Sequence, residues 1–351
     1  MTPRRLCRPS KLRLTRSMDE AYAAAHRVVA EWPLEPTRIE RVSQSENIVF
    51  RVDCTDDTIY VLRLHRPGYH SFDELVSEQA WTSALRDAGL GAPRALYTSA
   101  GERYALTRVG DEQRYAGVLE WVDGDTMLDL IDSSIDDDYV AQRYMELGRL
   151  IAALHNQATG WSLPAGFCRH HLDHHGLMGD QPFWGRFWES GALNDDEQQW
   201  CASLRERIYP LLEAYGKRPK TYSLIHADLH PGNVIVHGTN LHIIDFDDSG
   251  FGWHLYDLAV AVMPYRNDSD FEANRDALLE GYRELRPLDE ADAAMLPLFI
   301  VVRALAQIGW IAARPEFDGD SLHSTARAYA QINAEQVIRD LERSNLGANL
   351  A

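Results

Sequence analysis

Residues 224–257 read L-I-H-A-D-L-H-P-G-N-V-I-V-H-G-T-N-L-H-I-I-D-F-D-D-S-G-F-G-W-H-L-Y-D. An H-x-D-x-x-x-x-N loop (His226, Asp228, Asn233) is followed by an apolar run and then by Asp245-Phe246. A carboxylate and an amide placed this close on one tight loop point into a single cleft. The expected hairpin, Val234–Val236 and Leu241–Ile244 around a His237–Asn240 turn, returns the chain so that Asp245 reaches the same cleft. This is the set that phosphoryl transfer asks of a protein: one carboxylate facing an acceptor hydroxyl, with an amide and a second carboxylate facing a divalent cation. An ordinary hairpin with incidental acids does not account for four matching positions.

These residues resemble the aminoglycoside phosphotransferase/choline kinase superfamily, small-molecule kinases related in fold to protein kinases. His226-Ala227-Asp228-Leu229-His230-Pro231-Gly232-Asn233 is similar to that group's H-x-D-x-H-x-x-N rather than to the H-R-D of protein kinases. Asp245-Phe246-Asp247 lacks the glycine of D-F-G, as is usual there. Asp257-Leu258-Ala259 matches a D-L-A helix start, where the carboxylate is expected to cap the helix that follows. The resemblance spans roughly residues 35–320. It is nearest to the homoserine-kinase-like and stress-response-kinase-like members, through Pro182–Glu189 and Trp310–Pro315.

The resemblance implies an α+β, two-lobed, protein-kinase-like fold, with a small antiparallel-sheet N-lobe and a larger, mainly helical C-lobe. The expected organisation is a basic, disordered leader at 1–17, the N-lobe at 18–122 and the C-lobe at 123–351. The apolar pattern agrees. Met18–Trp32 has helical period, then Ile39–Val42, Ile48–Val52 and Ile59–Leu64 alternate as strands. Ser71–Ala88 returns to helix, and Tyr104–Arg108 and Ala116–Val122 complete a five-stranded sheet with one helix against it. Beyond Thr126 the expected helices are Val140–His155, Asp195–Ala214, Asp257–Met263, Phe271–Leu285, Glu290–Arg314 with a kink at Pro297, and Leu322–Ser344.

Further roles follow from the resemblance. Asp228 orients the acceptor and takes its proton, while Asn233 and Asp245 hold Mg2+. The turn Ser43–Asn47 replaces a glycine-rich loop, with Ser45 and Asn47 facing the ATP phosphates; a plain strand connection is the alternative. Arg63 stands on the third strand where protein kinases carry lysine, and Glu78 is its expected partner, with Glu74 second. The hinge is Val118–Val122, so adenine lies against the backbone at Glu120 and Val122. His226 braces the loop.

Composition bounds the partners. The 351 residues carry a formal net charge of −18, which disfavours nucleic acid and anionic membranes and favours a cationic acceptor. No uninterrupted run of 18 apolar residues is present, so no membrane span is expected. Cys7, Cys54, Cys168 and Cys201 are scattered, which fits free thiols in a reducing cytoplasm. The leader has six basic residues and no acid before Asp19; a docking arm and an upstream start with Met18 as the true beginning are the two readings.

Other features compete with bland explanations. His170, His171, His174 and His175 would offer i,i+4 zinc pairs on a helix, but no further ligand beyond Asp173 is at hand, and a solvated or cleft-lining cluster is preferred. Trp184, Trp188, Trp253, Tyr256 and Trp310 suggest a cage for a quaternary ammonium, against core packing. Asp247 and Asp248 would supplement the metal, contact a cationic acceptor, or stand solvated. The expected activity is ATP-dependent transfer of a γ-phosphoryl group to a small-molecule hydroxyl, of an amino alcohol, aminoglycoside or sugar. A Ser/Thr protein kinase of the stress-response type and a nucleotide-binding pseudokinase are the alternatives.

Overall fold

The computed structural model describes residues 11–44, 47–314, 320–330 and 334–348, in two compact units. Unit 1 comprises the chain to Asp123 together with Pro164–Cys168, and unit 2 comprises Gly124–Leu163 and the chain from Arg169 onward.

Unit 1 opens with helix α1 (Lys11–Val28), which begins well before Met18, so the basic leader is helical from Lys11. Ala21, Ala24, Ala25 and Val28 recur at the i, i+3, i+4, i+7 spacing of a buried stripe, continued by Val29 and Trp32. The strands are β1 (Pro36–Gln44), β2 (Ile48–Cys54) and β3 (Ile59–Leu64), then, after helix α2 (Phe72–Asp87), β4 (Ala95–Leu96), β5 (Ala105–Val109) and β6 (Glu112–Glu120). They form an antiparallel sheet in the order β1-β2-β3-β6-β4, with β5 also on β6. Along β2 the period of two turns Ile48, Phe50, Val52 and Cys54 inward, onto α1. Trp32 Nε1 donates to the Leu96 carbonyl at 3.0 Å.

Two expectations are corrected here. The sheet has six strands, and α1 packs on it as well as α2 being present. The sequence concealed the start of β6 because Glu112–Arg114 is polar. The Val109↔Glu112 pairing closes a two-residue turn at Gly110, whose φ of 57° suits glycine. Ser71 caps α2 in a reciprocal box with Glu74.

Unit 2 contains β7 (Asp125–Thr126), α3 (Met127–Asp132), α4 (Asp137–Gly160), β8 (His171–Leu172), α5 (His174–Met178), α6 (Asp195–Tyr215), β9 (Tyr222–Ile225), β10 (Val234–His237), β11 (Asn240–Ile243) and β12 (Gly250–Trp253). Helices α7 (His254–Val262), α8 (Phe271–Leu285), α9 (Glu290–Ala293), α10 (Leu296–Ala312), α11 (Asp320–Ala330) and α12 (Ala334–Ala348) follow. Two small sheets, β11-β10-β7 and β8-β12-β9, carry the loops of the site. Helix α7 is buried throughout and α10 nearly so, as expected for core helices that are apolar all round. The expected Glu290–Arg314 helix is broken before Leu296, with Pro297 in the first turn of α10, where a missing N–H costs nothing. Within the expected Leu322–Ser344 helix, helix is described at Asp320–Ala330 (α11) and Ala334–Ala348 (α12); residues 331–333 lie outside the described part.

By length and composition Glu290–Ala312 would suffice to cross a membrane, which a count of uninterrupted apolar residues passes over. Most of that stretch is buried inside unit 2 as core. Cys54 and Cys201 are buried free thiols and Cys168 is an exposed one.

Helices α4 and α8 meet backbone to backbone through glycine. A Cβ on Gly148 would fall 2.0 Å from the Leu278 carbonyl oxygen, and one on Gly281 would fall 2.0 Å from that of Met145. Gly148→Ala should therefore force the helices apart and destabilise by about 1–3 kcal/mol, read as a lowered Tm. Gly160→Ala, at the open end of α4 with no neighbour within 4 Å, should leave Tm unchanged or slightly raised.

Candidate active site

The loop 226–233 of unit 2 is fixed by one carboxylate. Asp257, fully buried inside α7, accepts from the His226 N–H at 3.0 Å (Oδ2) and from the Ala227 N–H at 2.6 Å (Oδ1). His155 Nε2, on α4, lies 3.1 Å from Oδ2, and its Nδ1 lies 3.0 Å from the Tyr282 hydroxyl. Burial holds the His155 ring neutral, well below its ordinary range, so Nε2–H donates to Asp257 and Nδ1 accepts from Tyr282. Burial also pushes Asp257 up to about 6, against the pull of the His226 and Ala227 backbone N–H groups. At neutral pH it is a carboxylate with three donors. The expectation that Asp257 caps the following helix is corrected: α7 already begins at His254, so Asp257 lies inside it and caps the loop instead.

That tie stabilises an unusual backbone. Ala227 has φ +66°, in the left-handed region that a side chain with Cβ disfavours. His226 is buried and neutral, lowered by burial; its Nε2–H donates to the Ile244 carbonyl (3.0 Å) and its Nδ1 accepts from the Asp228 N–H (3.3 Å). His226 is thus a brace between the loop and the strand end before Asp245.

Asp228 emerges from this brace partly exposed. Asn233 Nδ2 donates to its carbonyl at 2.9 Å and to its Oδ2 at 3.2 Å, which leaves the Asn233 amide oxygen turned away from Asp228. Its Oδ1 forms an ion pair with Arg303 of α10, a residue that sequence reasoning did not single out. The signal was available: Arg303 is the one charge in the apolar helix Leu296–Ala312, and a cation there must be paired. His230 caps the short turn after Asp228, accepting from the Gly232 N–H at 3.1 Å.

The Ile244 N–H donates to the Asn233 carbonyl at 3.0 Å, so Asp245 follows directly on the loop that carries Asn233. Asp245 is exposed and has φ +63°, a second strained non-glycine residue. Hard oxygen donors on Asn233 and Asp245 suit a magnesium-like cation. Asp247 and Asp248 are buried, which removes the solvated reading. Arg169 holds their loop: its Nε donates to the Ser249 carbonyl at 2.6 Å, and its Nη2 donates to the Phe246 and Asp247 carbonyls.

In unit 1, Arg63 is buried on β3, and Glu78 is the carboxylate that reaches it, Nη1 to Oε1 at 3.5 Å. Glu74 is engaged in the cap of α2. The Asn47 side chain is buried, and its Oδ1 accepts from the Arg66 N–H at 3.1 Å. Ser45 lies outside the described residues. Glu120 ends β6; its N–H donates to the Arg94 carbonyl, and its carboxylate pairs with Arg94 and, at 3.7 Å, with Arg86. Val122 lies just past that strand, half-buried.

The four histidines do not share a helix. His170 stacks on Phe183 at 3.6 Å and His171 lies in β8, whereas His174 and His175 open α5, with His175 Nδ1 2.9 Å from the Tyr209 hydroxyl. The five-membered aromatic cage is not formed either. Trp253 is core against Phe299, Trp188 lies under Arg205, and Arg314 covers Trp310. Only Trp184 and Tyr256 stack, with ring centres 5.8 Å apart.

Asp257→Asn replaces one acceptor by a donor facing a buried N–H. It should cost about 1–3 kcal/mol, lower Tm by several degrees and reduce turnover, measured by thermal unfolding and steady-state assay on the same preparation.

Most of the chain is similar to known proteins. Residues 38–291 match the model of the phosphotransferase enzyme family. The homoserine kinase of Methylobacterium radiotolerans is 32% identical over 162 residues, 45% of this chain and 48% of that protein. The structure of a microcompartment-associated aminopropanol kinase superposes with a TM-score of 0.77 at 29% identity, over 94% of this chain and 99% of that one. An amicoumacin kinase solved with AMP-PNP, Ca2+ and amicoumacin shares the fold, with a TM-score of 0.74 at 16% identity over 94% and 96% of the two chains. This chain belongs to the phosphotransferase enzyme family.

Proposed function

We propose that the protein transfers the γ-phosphoryl group of ATP to a hydroxyl of a small molecule, with an amino alcohol as the favoured class. The observation that carries the reading is the braced loop: Asp228 and Asn233 on one turn, with Asp245 immediately beyond a strand end hydrogen-bonded to it. The amino-alcohol class is supported by the similarity to an aminopropanol kinase and by the net charge of −18, which favours a cationic acceptor. ATP and a divalent cation are supported by family membership and by the nucleotide analogue and Ca2+ in the amicoumacin kinase.

In this reading Asp228 Oδ2 accepts the acceptor's hydroxyl proton as the acceptor oxygen bonds to the γ-phosphorus and the bond to the β–γ bridging oxygen breaks. Asn233 through its amide oxygen and Asp245 through its carboxylate would hold a divalent cation such as Mg2+, which would neutralise phosphate charge. Arg63, fixed by Glu78, holds the α/β phosphates bidentately. Asn47 flanks the phosphates and the backbone at Glu120 and Val122 receives adenine. The protein does little covalent work, so positioning and electrostatics supply the rate.

Asp228→Asn should remove turnover while MgATP still binds, read by ADP release and by calorimetry; wild-type-like turnover would sink the assignment of the base. Asp245→Asn should abolish the Mg2+-dependent part of nucleotide affinity. Affinity persisting unchanged would place the cation elsewhere.

A further inference from the structure

We propose that Arg303 is a positioning residue of the phosphotransfer site, a buried clamp that holds the Asp228 carboxylate and the loop carrying Asp248 in register with one another. The proposal rests on the phosphotransferase reading for its kinetic part only. Arg303 is 5% exposed and comes from the middle of α10, 75 residues from Asp228 in sequence. Its Nη2 donates to Asp228 Oδ1, and its Nη1 donates to the Ala227 carbonyl at 3.4 Å, so it grips both the side chain and the strained backbone before it. Asp248 adds a second negative charge close by. Trp184 joins the two loops: its ring centre lies 5.8 Å from the guanidinium carbon, and its Nε1 donates to Asp248 Oδ2 at 3.2 Å. The Gln307 side-chain amide, one turn further along α10, lies beside the same guanidinium, whose N–H groups call for the amide oxygen rather than the nitrogen on that side.

This arrangement has a specific consequence for Asp228. With Oδ1 paired to Arg303, the hydroxyl falls to Oδ2, which accepts from Asn233 Nδ2 at 3.2 Å and keeps a second lone pair, so the ion pair selects the carboxylate orientation as well as its place. A planar fork with several donors can do this, whereas a lysine ammonium, a single point charge, can supply the charge but not the orientation. A displacement of about 1 Å in a reacting group is enough to lose on the order of 10²-fold in rate.

The test uses Arg303→Met and Arg303→Lys in the full chain, with MgATP, 1-amino-2-propanol and homoserine as probes, and intrinsic ATP hydrolysis as a third readout. Arg303→Met should lower kcat by about 10²-fold or more with the MgATP Kd changed less than about 3-fold, and Arg303→Lys should recover part of that loss. Equal loss of kcat and MgATP affinity, or kcat within about 3-fold of wild type, would overturn the proposal. A thermal cycle stands apart from activity. Asp228→Asn removes the negative charge paired with the buried guanidinium and should lower Tm, and Arg303→Met in the same chain should restore most of it. Strictly additive Tm shifts would overturn the clamp even if no probe is phosphorylated. Silence of the wild type on every probe, with strong thermal coupling, would instead sink the amino-alcohol reading of the function and leave the clamp standing.

Discussion

One buried carboxylate organises the site. Asp257 is withdrawn from water inside α7 and is tolerable there because three donors converge on it: the His226 and Ala227 backbone N–H groups and His155 Nε2. Each of these ties a different piece of unit 2 to the same point. His155 brings α4, Tyr282 behind it brings α8, and the two N–H groups hold the loop in a conformation that Ala227 would not adopt alone. Removing water raises the strength of each bond and the cost of losing any one of them, so the network behaves as a unit. What projects from it, Asp228 and Asn233, inherits its rigidity.

A second principle is local charge balance within a strongly acidic chain. A net charge of −18 repels a nucleotide at long range, yet the residues that would meet phosphate or transfer a proton are set beside buried cations. Arg63 is buried against Glu78, Arg169 grips the carbonyls of the loop after Asp245, and Arg303 faces Asp228. Buried arginines of this kind contribute little to stability on balance, because desolvation offsets the attraction. Their value is in fixed geometry. The strained φ angles at Ala227 and Asp245 bracket the candidate site on both sides, which is where backbone strain is retained when function requires it.

The sequence made the local parts legible and the non-local ones invisible. The loop 226–233 and the strand end before Asp245 could be read because short motifs are encoded in neighbouring residues, whereas the partnership of Arg63 with Glu78 was legible only through the resemblance. Helix α8 was read at its observed bounds, since its apolar stripe is long and regular. Asp257 was found but misassigned. A carboxylate near a helix start looks like a cap of that helix, and only the fold shows that the helix begins earlier and that the free N–H groups belong to another segment. Arg303 was missed because its partner lies far along the chain, although a lone cation in an apolar helix signals that such a partner must exist. The polar start of β6 was hidden for a related reason, since sheet pairing overrides the local pattern there, whereas Pro297 did mark the interruption at the start of α10.

The measurement that bears most directly on the account is Mg2+-dependent transfer of label from γ-labelled ATP, followed at once in small-molecule, protein and free-phosphate fractions, across a panel of hydroxyl compounds that includes amino alcohols, homoserine, sugars and aminoglycosides. The account predicts label in an acid-stable phosphate ester of one small acceptor class, absent without the divalent cation. Label confined to protein, or none in any fraction while MgATP still raises Tm, would contradict it.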